Sequence, residues 1–413
     1  MPCFSQKRLL LVGAGQEQLA AIQAARELGL FTIALDGNAK APGLKQADLG
    51  YCMDIRDVSA VTKIGKEADI EGVFSHALDL PQVVASVTQS LGLPGLDPDI
   101  ALRATNKFLR YQCFQENHIP CPQFYLVDSI QAAYSQAEVL GFPLVMKPLD
   151  NAGARGVRKV NGPDEIEESF HWALQFSHEP SVLLEEFLEG QEISTESVIV
   201  DGRITTTGFA DRNYSKKEWF APYFIEDGHT IPTTLSAADQ ARVLKLVEQA
   251  IQALGIRWGV AKGDVILTSS GPKIFEMAPR TSGGRFCADM VPLATGVNIL
   301  KPLIQMALDE KISEEDLSPK FDRGAAQRFV FPSVGTVVAI GGLPKARQLP
   351  GVYDVVLQDQ FTVGSVVSAM RHHGDRVGHV IAQGATRERA IERADHAIRT
   401  IRIETASLVG VGS

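Results

Sequence analysis

The alternation of short apolar runs and helical patterns over the first hundred residues constrains the fold more than any other feature. Arg8-Leu9-Leu10-Leu11-Val12 is an apolar run of the length a fully buried strand needs, and Gly13-Ala14-Gly15 turns it into a helical pattern over 18–28. Gly29 stops that helix, and Phe31-Thr32-Ile33-Ala34-Leu35 reads as a second strand ending at Asp36. A strand over 72–75, a helix over 80–91 and the exit Gly92-Leu93-Pro94-Gly95 continue the pattern. Strands that alternate with helices pair in parallel, and the helices cover both faces of the sheet. At 413 residues the chain exceeds what one compact core usually organises, so roughly two to four structural units are expected.

The turn Gly13-Ala14-Gly15 invites a dinucleotide reading, with Asp36 placed like a ribose acceptor. The full fingerprint needs a third glycine for close helix–strand packing, and Gln18 stands there instead. The favoured reading is an ordinary strand–turn–helix, ahead of a nicotinamide or flavin site, with amides free to serve a substrate.

A helix over 97–117 follows, carrying Lys107 and ended by Pro120 and Pro122. Between 124 and 186 the pattern becomes a small α+β unit, with strands over 144–147 and 182–185 and a helix over 164–176. Antiparallel strands are predicted over 192–200, 203–210, 259–267 and 273–277, the last two turning at Ser269-Ser270-Gly271-Pro272, with a helix over 237–254. Beyond Phe329, strands over 335–340 and 377–382 precede a last helix over 386–401.

Hydrophobic residues make up 45% of the chain and charged residues 22%, a balance that excludes wholesale disorder. The net charge of −9 argues against a nucleic-acid partner. No apolar run approaches the roughly 20 residues of a membrane span, and the run at 9–12 is too short for a signal-peptide core. The mature chain is therefore expected to begin near Met1, in the cytoplasm. Cys3, Cys52, Cys113, Cys121 and Cys287 form no CxxC pair, which fits reduced thiols.

Three groups of residues carry chemistry. Lys107, then Lys147 at the end of a strand, then the loop Asn151-Ala152-Gly153-Ala154-Arg155-Gly156-Val157 offer two ammonium groups and backbone N–H donors, which a polyphosphate requires. In Leu184-Glu185-Glu186-Phe187-Leu188-Glu189-Gly190-Gln191-Glu192, Phe187 and Leu188 suit one wall of an adenine slot, and Glu192 a ribose. Asp264 and Glu276 on neighbouring strands suit a hard cation, and Arg280 and Arg285 a carboxylate or phosphoryl group. Singly, each has a plainer reading: a solvated strand end, a hairpin or surface loop, a salt-bridged edge.

In this order the elements resemble the ATP-grasp superfamily of carboxylate–amine (or thiol) ligases, along nearly the whole chain. The resemblance implies a multidomain α/β and α+β fold: a parallel α/β pre-ATP-grasp domain over 1–100, an ATP-grasp core over 101–325 with a mobile lid at 124–186, and a small C-terminal α+β domain over 326–413. The tail is of the kind seen in biotin-carboxylase-like and L-amino-acid-ligase-like members. It further implies ATP with Mg²⁺ (Mn²⁺ as an alternative ion), small acid and amine substrates, and a homodimer. Carried onto this sequence, Lys107 and Lys147 contact phosphates, Arg155 and Gly156 lie in the lid loop, and Glu185, Glu186, Phe187 and Leu188 hold adenine. Glu192 holds the ribose and Asp264 and Glu276 the metal. Arg280 and Lys147 are the catalytic pair. Substrate contacts fall to Arg212, Arg280, Ser282, Gly283, Gly284 and Arg285. Two positions depart from the family pattern: Ala278 replaces a common metal-binding asparagine, and Asn106 replaces an aspartate before the first lysine.

The implied reaction activates a small carboxylic acid as an acyl phosphate and couples it to an amine, releasing ADP and phosphate. The alternatives are a bicarbonate-dependent carboxylase, a purine-pathway ligase and a non-catalytic ATP-binding regulator. Arg212, Lys216 and Lys217 suit a loop closing over substrates, although a solvated charged loop is the simpler reading. His372, His373 and His379 read as surface residues.

Overall fold

The computed structural model describes residues 6–407, so Met1 and Cys3 lie outside the described residues. The first unit is a four-stranded parallel sheet in the order Leu49–Cys52, Phe31–Asp36, Arg8–Val12, Gly72–Phe74. Side chains on its central strand alternate between two cores. Leu9 and Leu11 pack with Ala21, Ile22 and Ala25 of the helix Leu19–Glu27, while Leu10 and Val12 pack with Val61, Val83 and Val87. The sequence pattern did not show the edge strand Leu49–Cys52, whose four residues are all exposed, so no buried alternation marks it.

The apparent dinucleotide loop is held by its own side chains. Gln18 Nε2 donates to His76 O at 2.7 Å, and the Asp36 carboxylate accepts from Ala14 N and Asn38 N at 2.8 Å each.

The single helix expected over 97–117 is in fact two, Pro98–Thr105 and Lys107–Glu116. Asn106 breaks it by taking an extended conformation, φ −72° and ψ 121°. Its Oδ1 accepts from Phe108 N at 3.0 Å and Leu109 N at 3.1 Å, capping the second helix and placing Lys107 at its first position.

The unit over 124–186 is an antiparallel sheet in the order Phe124–Val127, Val182–Glu186, Leu144–Pro148, Arg158–Val160. Helices Ile130–Leu140 and Ile166–Leu174 cover one face, around Leu144, Met146, Phe170 and Leu184. An eight-stranded antiparallel sheet lies beneath it, in the order Gly271–Ala278, Gly259–Thr268, Gln191–Val200, Arg203–Asn213, Gly228–Ile231, Gly324–Phe329, Gly378–Gly384, Val352–Leu357. This sheet runs unbroken across positions 325 and 326, because Gly324–Phe329 pairs with Gly228–Ile231 on one side and Gly378–Gly384 on the other. Gly228 makes one junction feasible: its φ is +141°, and a Cβ there would meet Gln327 O at 2.0 Å. Helix Ala237–Leu254 buries Val243, Leu246, Val247 and Ile251 against one face, leaving the opposite face to the site.

Replacing Asn106 with Ala removes the cap and is expected to cost about 1 kcal/mol in chemical denaturation, with Asn106→Asp close to the parent.

Candidate active site

The floor of the site is a row of ionisable side chains across the large sheet. Strand alternation turns Ile193 and Ile199 toward the core helix and leaves Glu192, Ser194 and Glu196 on the other face. Register carries the row outward: Lys262 opposes Glu196, Asp264 opposes Ser194, Glu276 opposes Asp264, and Arg212 opposes His229.

Two cations knit these carboxylates together. Lys262 Nζ lies 2.5 Å from Asp264 Oδ2 and 2.7 Å from Glu276 Oε2. Arg212 reaches Asp264 at 2.9 Å, Glu226 at 3.1 Å and Glu192 at 3.3 Å. Ser194 Oγ donates to the remaining Asp264 oxygen at 2.8 Å. Burial opposes ionisation of Glu276, but the charges of Lys262 and Arg280 outweigh it and hold the carboxyl well below its usual range. Burial pushes Glu192 up to about 7 despite Arg212.

The convergence of Asp264 and Glu276 on one ammonium group is a direct test of fit for a cation, and two hard oxygen donors suit Mg²⁺ completed by phosphate oxygens. Among the described residues no group of three or more His, Cys, Asp or Glu side chains could hold a metal alone, and Ala278 adds no ligand.

The two sequence-predicted lysines stand above this floor. Lys147 Nζ pairs with Glu185 Oε2 at 2.6 Å and lies 3.2 Å from the Tyr111 hydroxyl, which is itself 2.8 Å from the same Glu185 oxygen. Lys107 Nζ donates to Asn151 O at 2.5 Å, tying the helix to the glycine loop. Burial, together with the Lys147 charge, pulls the Lys107 ammonium down to about 8. Farther along, Lys159 Nζ sits 4.2 Å from the Phe187 ring centroid, and Phe224 lies 6.3 Å from the same ring. Lys159 thus lies over the face of the Phe187 ring, with the Phe224 ring tilted beside it.

The first unit closes the remaining side. Arg280 Nε donates to Asp79 Oδ1 at 2.5 Å, Thr281 Oγ1 accepts from Ala77 N at 2.9 Å, and His76 Nδ1 lies 2.8 Å from the same hydroxyl. Ser282 N donates to both Glu196 oxygens, at 3.0 and 3.1 Å. Burial, partly offset by these Ser282 contacts, lifts Glu196 to about 7.

One cleft of about 770 Å³ is lined by Lys107, Lys147, Glu185, Glu186, Phe187, Leu188, Glu192, Arg212, Glu276, Arg280, Ser282, Gly283 and Gly284. Asp264 is fully buried just beneath it. Three predicted site residues stand apart from the lining. Arg155 folds back onto Ala152 O at 3.2 Å; Gly156 (φ +73°) packs where a Cβ would meet Pro148 and Phe176 at 3.0 Å; and Arg285 pairs with Asp289 at 2.7 Å and Asp354 at 3.1 Å.

Two readings of surface residues are corrected. Arg212 belongs to the strand Arg203–Asn213 and its side chain is 9% exposed, not part of a solvated loop, because three carboxylates converge on it. His373 lines the cleft; its backbone N donates to Gly153 O at 2.9 Å and its Nε2 accepts from Glu226 N at 3.4 Å. Tyr111, Lys262, Glu226, His229 and Arg376 escaped the sequence reading altogether. Only Lys262 left a usable signal, since a residue two before Asp264 on a strand must share its face.

Lys107 and Lys147 thus stand over the paired carboxylates Asp264 and Glu276, with Arg280 shortly after them in the chain. Residues 104–284 match the family described as ATP-grasp domain, and residues 328–406 match L-amino acid ligase C-terminal domain 2. The chain thus carries an ATP-grasp domain followed by a C-terminal domain of the L-amino acid ligase type. It is 28% identical over 353 residues to an uncharacterized protein (y4rH) of Sinorhizobium fredii, covering 83% of this chain and 71% of that one. Human carnosine synthase 1 is 26% identical over 334 residues, covering 73% of this chain and 39% of that longer protein. In fold, the L-amino acid ligase of Bacillus licheniformis superposes with a TM-score of 0.82 at 20% identity, over 97% of this chain and 99% of the other. The phosphoribosylglycinamide synthetase of Anaerococcus prevotii gives 0.74 at 21% identity, over 97% of this chain and 100% of the other.

Only the ammonium form of Lys107 attracts phosphate, and it is lost as pH rises through about 8. Calorimetric affinity for Mg-ADP is therefore expected to fall as pH rises from 7 to 9. Lys107→Arg should flatten that slope.

Proposed function

We propose that the protein is an ATP-dependent ligase that joins a small carboxylic acid to an amine, making an amide or peptide bond and releasing ADP and phosphate. The observation that carries this reading is the pairing of Asp264 with Glu276 across adjacent strands, followed directly by Arg280, in the cleft that also holds Lys107 and Lys147. Relatives named carnosine synthase and D-alanine–D-alanine ligase support it.

A carboxylate resists attack by an amine because its leaving group would be oxide. Phosphorylation supplies a leaving group, and the protein's part in that transfer is alignment and charge neutralisation. Lys107 and Lys147 hold the phosphate oxygens, and Phe187 and Leu188 the base. Arg280, steadied by Asp79, holds the acid beside them. Asp264 and Glu276 would hold Mg²⁺, which, when bound, offsets charge on the transferring phosphoryl group. The glycine loop at 151–157 and the segment over 214–224 cover the cleft and exclude water, which would otherwise destroy the activated acid.

Among the described residues no helix is long and apolar enough to cross a membrane. A cytoplasmic homodimer is the accompanying reading, supported by the dimeric biotin carboxylase domain of Hydrogenobacter thermophilus among the fold neighbours.

A phosphate-release screen with Mg-ATP against amino acids in pairs tests the reaction. Turnover with ADP as product is expected, and Glu276→Gln should lower it by about 10²-fold or more. AMP and pyrophosphate as products, or full activity in Glu276→Gln, would sink the reading.

A further inference from the structure

Between the cleft and the C-terminal unit stands an ion cluster that the ligase reading has not used. Arg285 follows Gly284, and both take left-handed backbone, with φ +62° at Gly284 and +68° at Arg285. Glycine adopts that conformation freely, whereas a β-carbon there crowds the next carbonyl. A non-glycine residue stays left-handed only where its surroundings hold it. The turn is closed by Phe286 N, which donates to Gly283 O at 3.2 Å, and Gln327 Nε2 donates to Gly284 O at 2.8 Å. The Arg285 carbonyl accepts from Asp289 N and Met290 N at 3.0 Å each, so the helical turn Phe286–Met290 starts from it.

The Arg285 side chain points out of the cleft. Its Nε lies 2.7 Å from Asp289 Oδ2, and its Nη2 donates to Asp354 Oδ2 at 3.1 Å. Asp289 is held in turn by Tyr353, whose hydroxyl donates to Oδ1 at 2.9 Å. Tyr353 and Asp354 belong to Val352–Leu357, the edge strand that the C-terminal unit contributes to the large sheet. From the other side, Glu17 of the first unit accepts from Arg285 N at 3.3 Å. Three parts of the chain thus meet at one left-handed residue. Ser282, Gly283 and Gly284, just before it, line the cleft beside Arg280, while Arg285, Asp289, Tyr353 and Asp354 do not.

We propose that Arg285 is a positioning residue. Its ion pairs outside the cleft hold the left-handed turn, and the turn fixes the backbone of Ser282, Gly283 and Gly284 as the wall beside Arg280. Two carboxylates set around one planar guanidinium fix its direction, and a fixed side chain restrains the backbone that carries it. Asp354 and Tyr353 thereby give the C-terminal unit a part in the reaction without touching a substrate. The proposal rests on the ligase reading, in which Arg280 holds the acid, and adds the residues that keep the neighbouring wall in place.

The full-length protein is assayed with Mg-ATP, the twenty common amino acids as acids and hydroxylamine as nucleophile, with calorimetric affinity for Mg-ADP measured alongside. Hydroxamate formation reports on the acid side of the cleft, and Mg-ADP affinity on the nucleotide side and on folding. Arg285→Ala keeps a β-carbon and loses the ion pairs, so it is expected to raise KM for the acid about tenfold with Mg-ADP affinity kept. Arg285→Gly loses the same ion pairs but takes left-handed backbone freely, so KM should return to within about threefold of the wild type. Asp354→Asn should raise KM about threefold by itself and add nothing in the Arg285→Gly background, where its partner is gone. Equal losses in Arg285→Ala and Arg285→Gly would mean that the guanidinium itself serves the substrate, and would overturn the proposal. Wild-type KM in Arg285→Ala or Asp354→Asn would overturn it as well, and so would loss of Mg-ADP affinity in step with KM. A wild type that forms no hydroxamate with any acid would instead overturn the ligase reading, and this proposal with it.

Discussion

Everything in the site depends on balancing carboxylates crowded onto one face of a buried sheet. Glu192, Asp264, Glu226 and Glu276 would repel one another without Arg212 and Lys262, which touch all four between them. Unpaired buried charge is costly, and removing one partner of such a pair typically costs about 3–5 kcal/mol. The cations therefore do structural work before any nucleotide arrives. They hold the Asp264 and Glu276 side chains aimed at one point. Because Lys262 already bridges Asp264 and Glu276, binding a metal there means exchanging one cation for another, not creating a site from disordered side chains.

A second dependence joins the units of the fold. The segment after the acidic hairpin is pinned from two sides, by His76, Ala77 and Asp79 of the first unit and by Glu196 of the core strand. The C-terminal unit reaches the same cleft through His373 and Arg376, and His373 also touches the glycine loop of the upper sheet. A site fed by four units can change its loop residues while the strands of the sheet floor stay fixed.

The parts legible in the sequence were those with local signals. The parallel unit announced itself through buried runs such as Leu9–Val12, and the hairpin through Asp264 and Glu276 flanking a Ser-Ser-Gly turn. Lys147 was visible because its strand ends in proline. The exposed edge strand Leu49–Cys52 had no pattern to read, and Asn106 looked like helix interior until its side chain was seen capping the next helix. Arg212 looked solvated because sequence shows its charged neighbours in the chain, not the carboxylates that two other strands and a loop bring to it.

The order of Lys107, Lys147, the glycine loop, Asp264, Glu276 and Arg280, on which the resemblance to ATP-grasp ligases rests, was set by the sequence. That is a local property, since alternation and turn residues act within a few positions. Which acids pair with which bases, and that Arg155 and Arg285 turn away while His229 and Arg376 turn in, were decided by tertiary structure alone. His229 and Gln327, for instance, lie on the neighbouring strands Gly228–Ile231 and Gly324–Phe329, and only the register of the eight-stranded sheet brings them together.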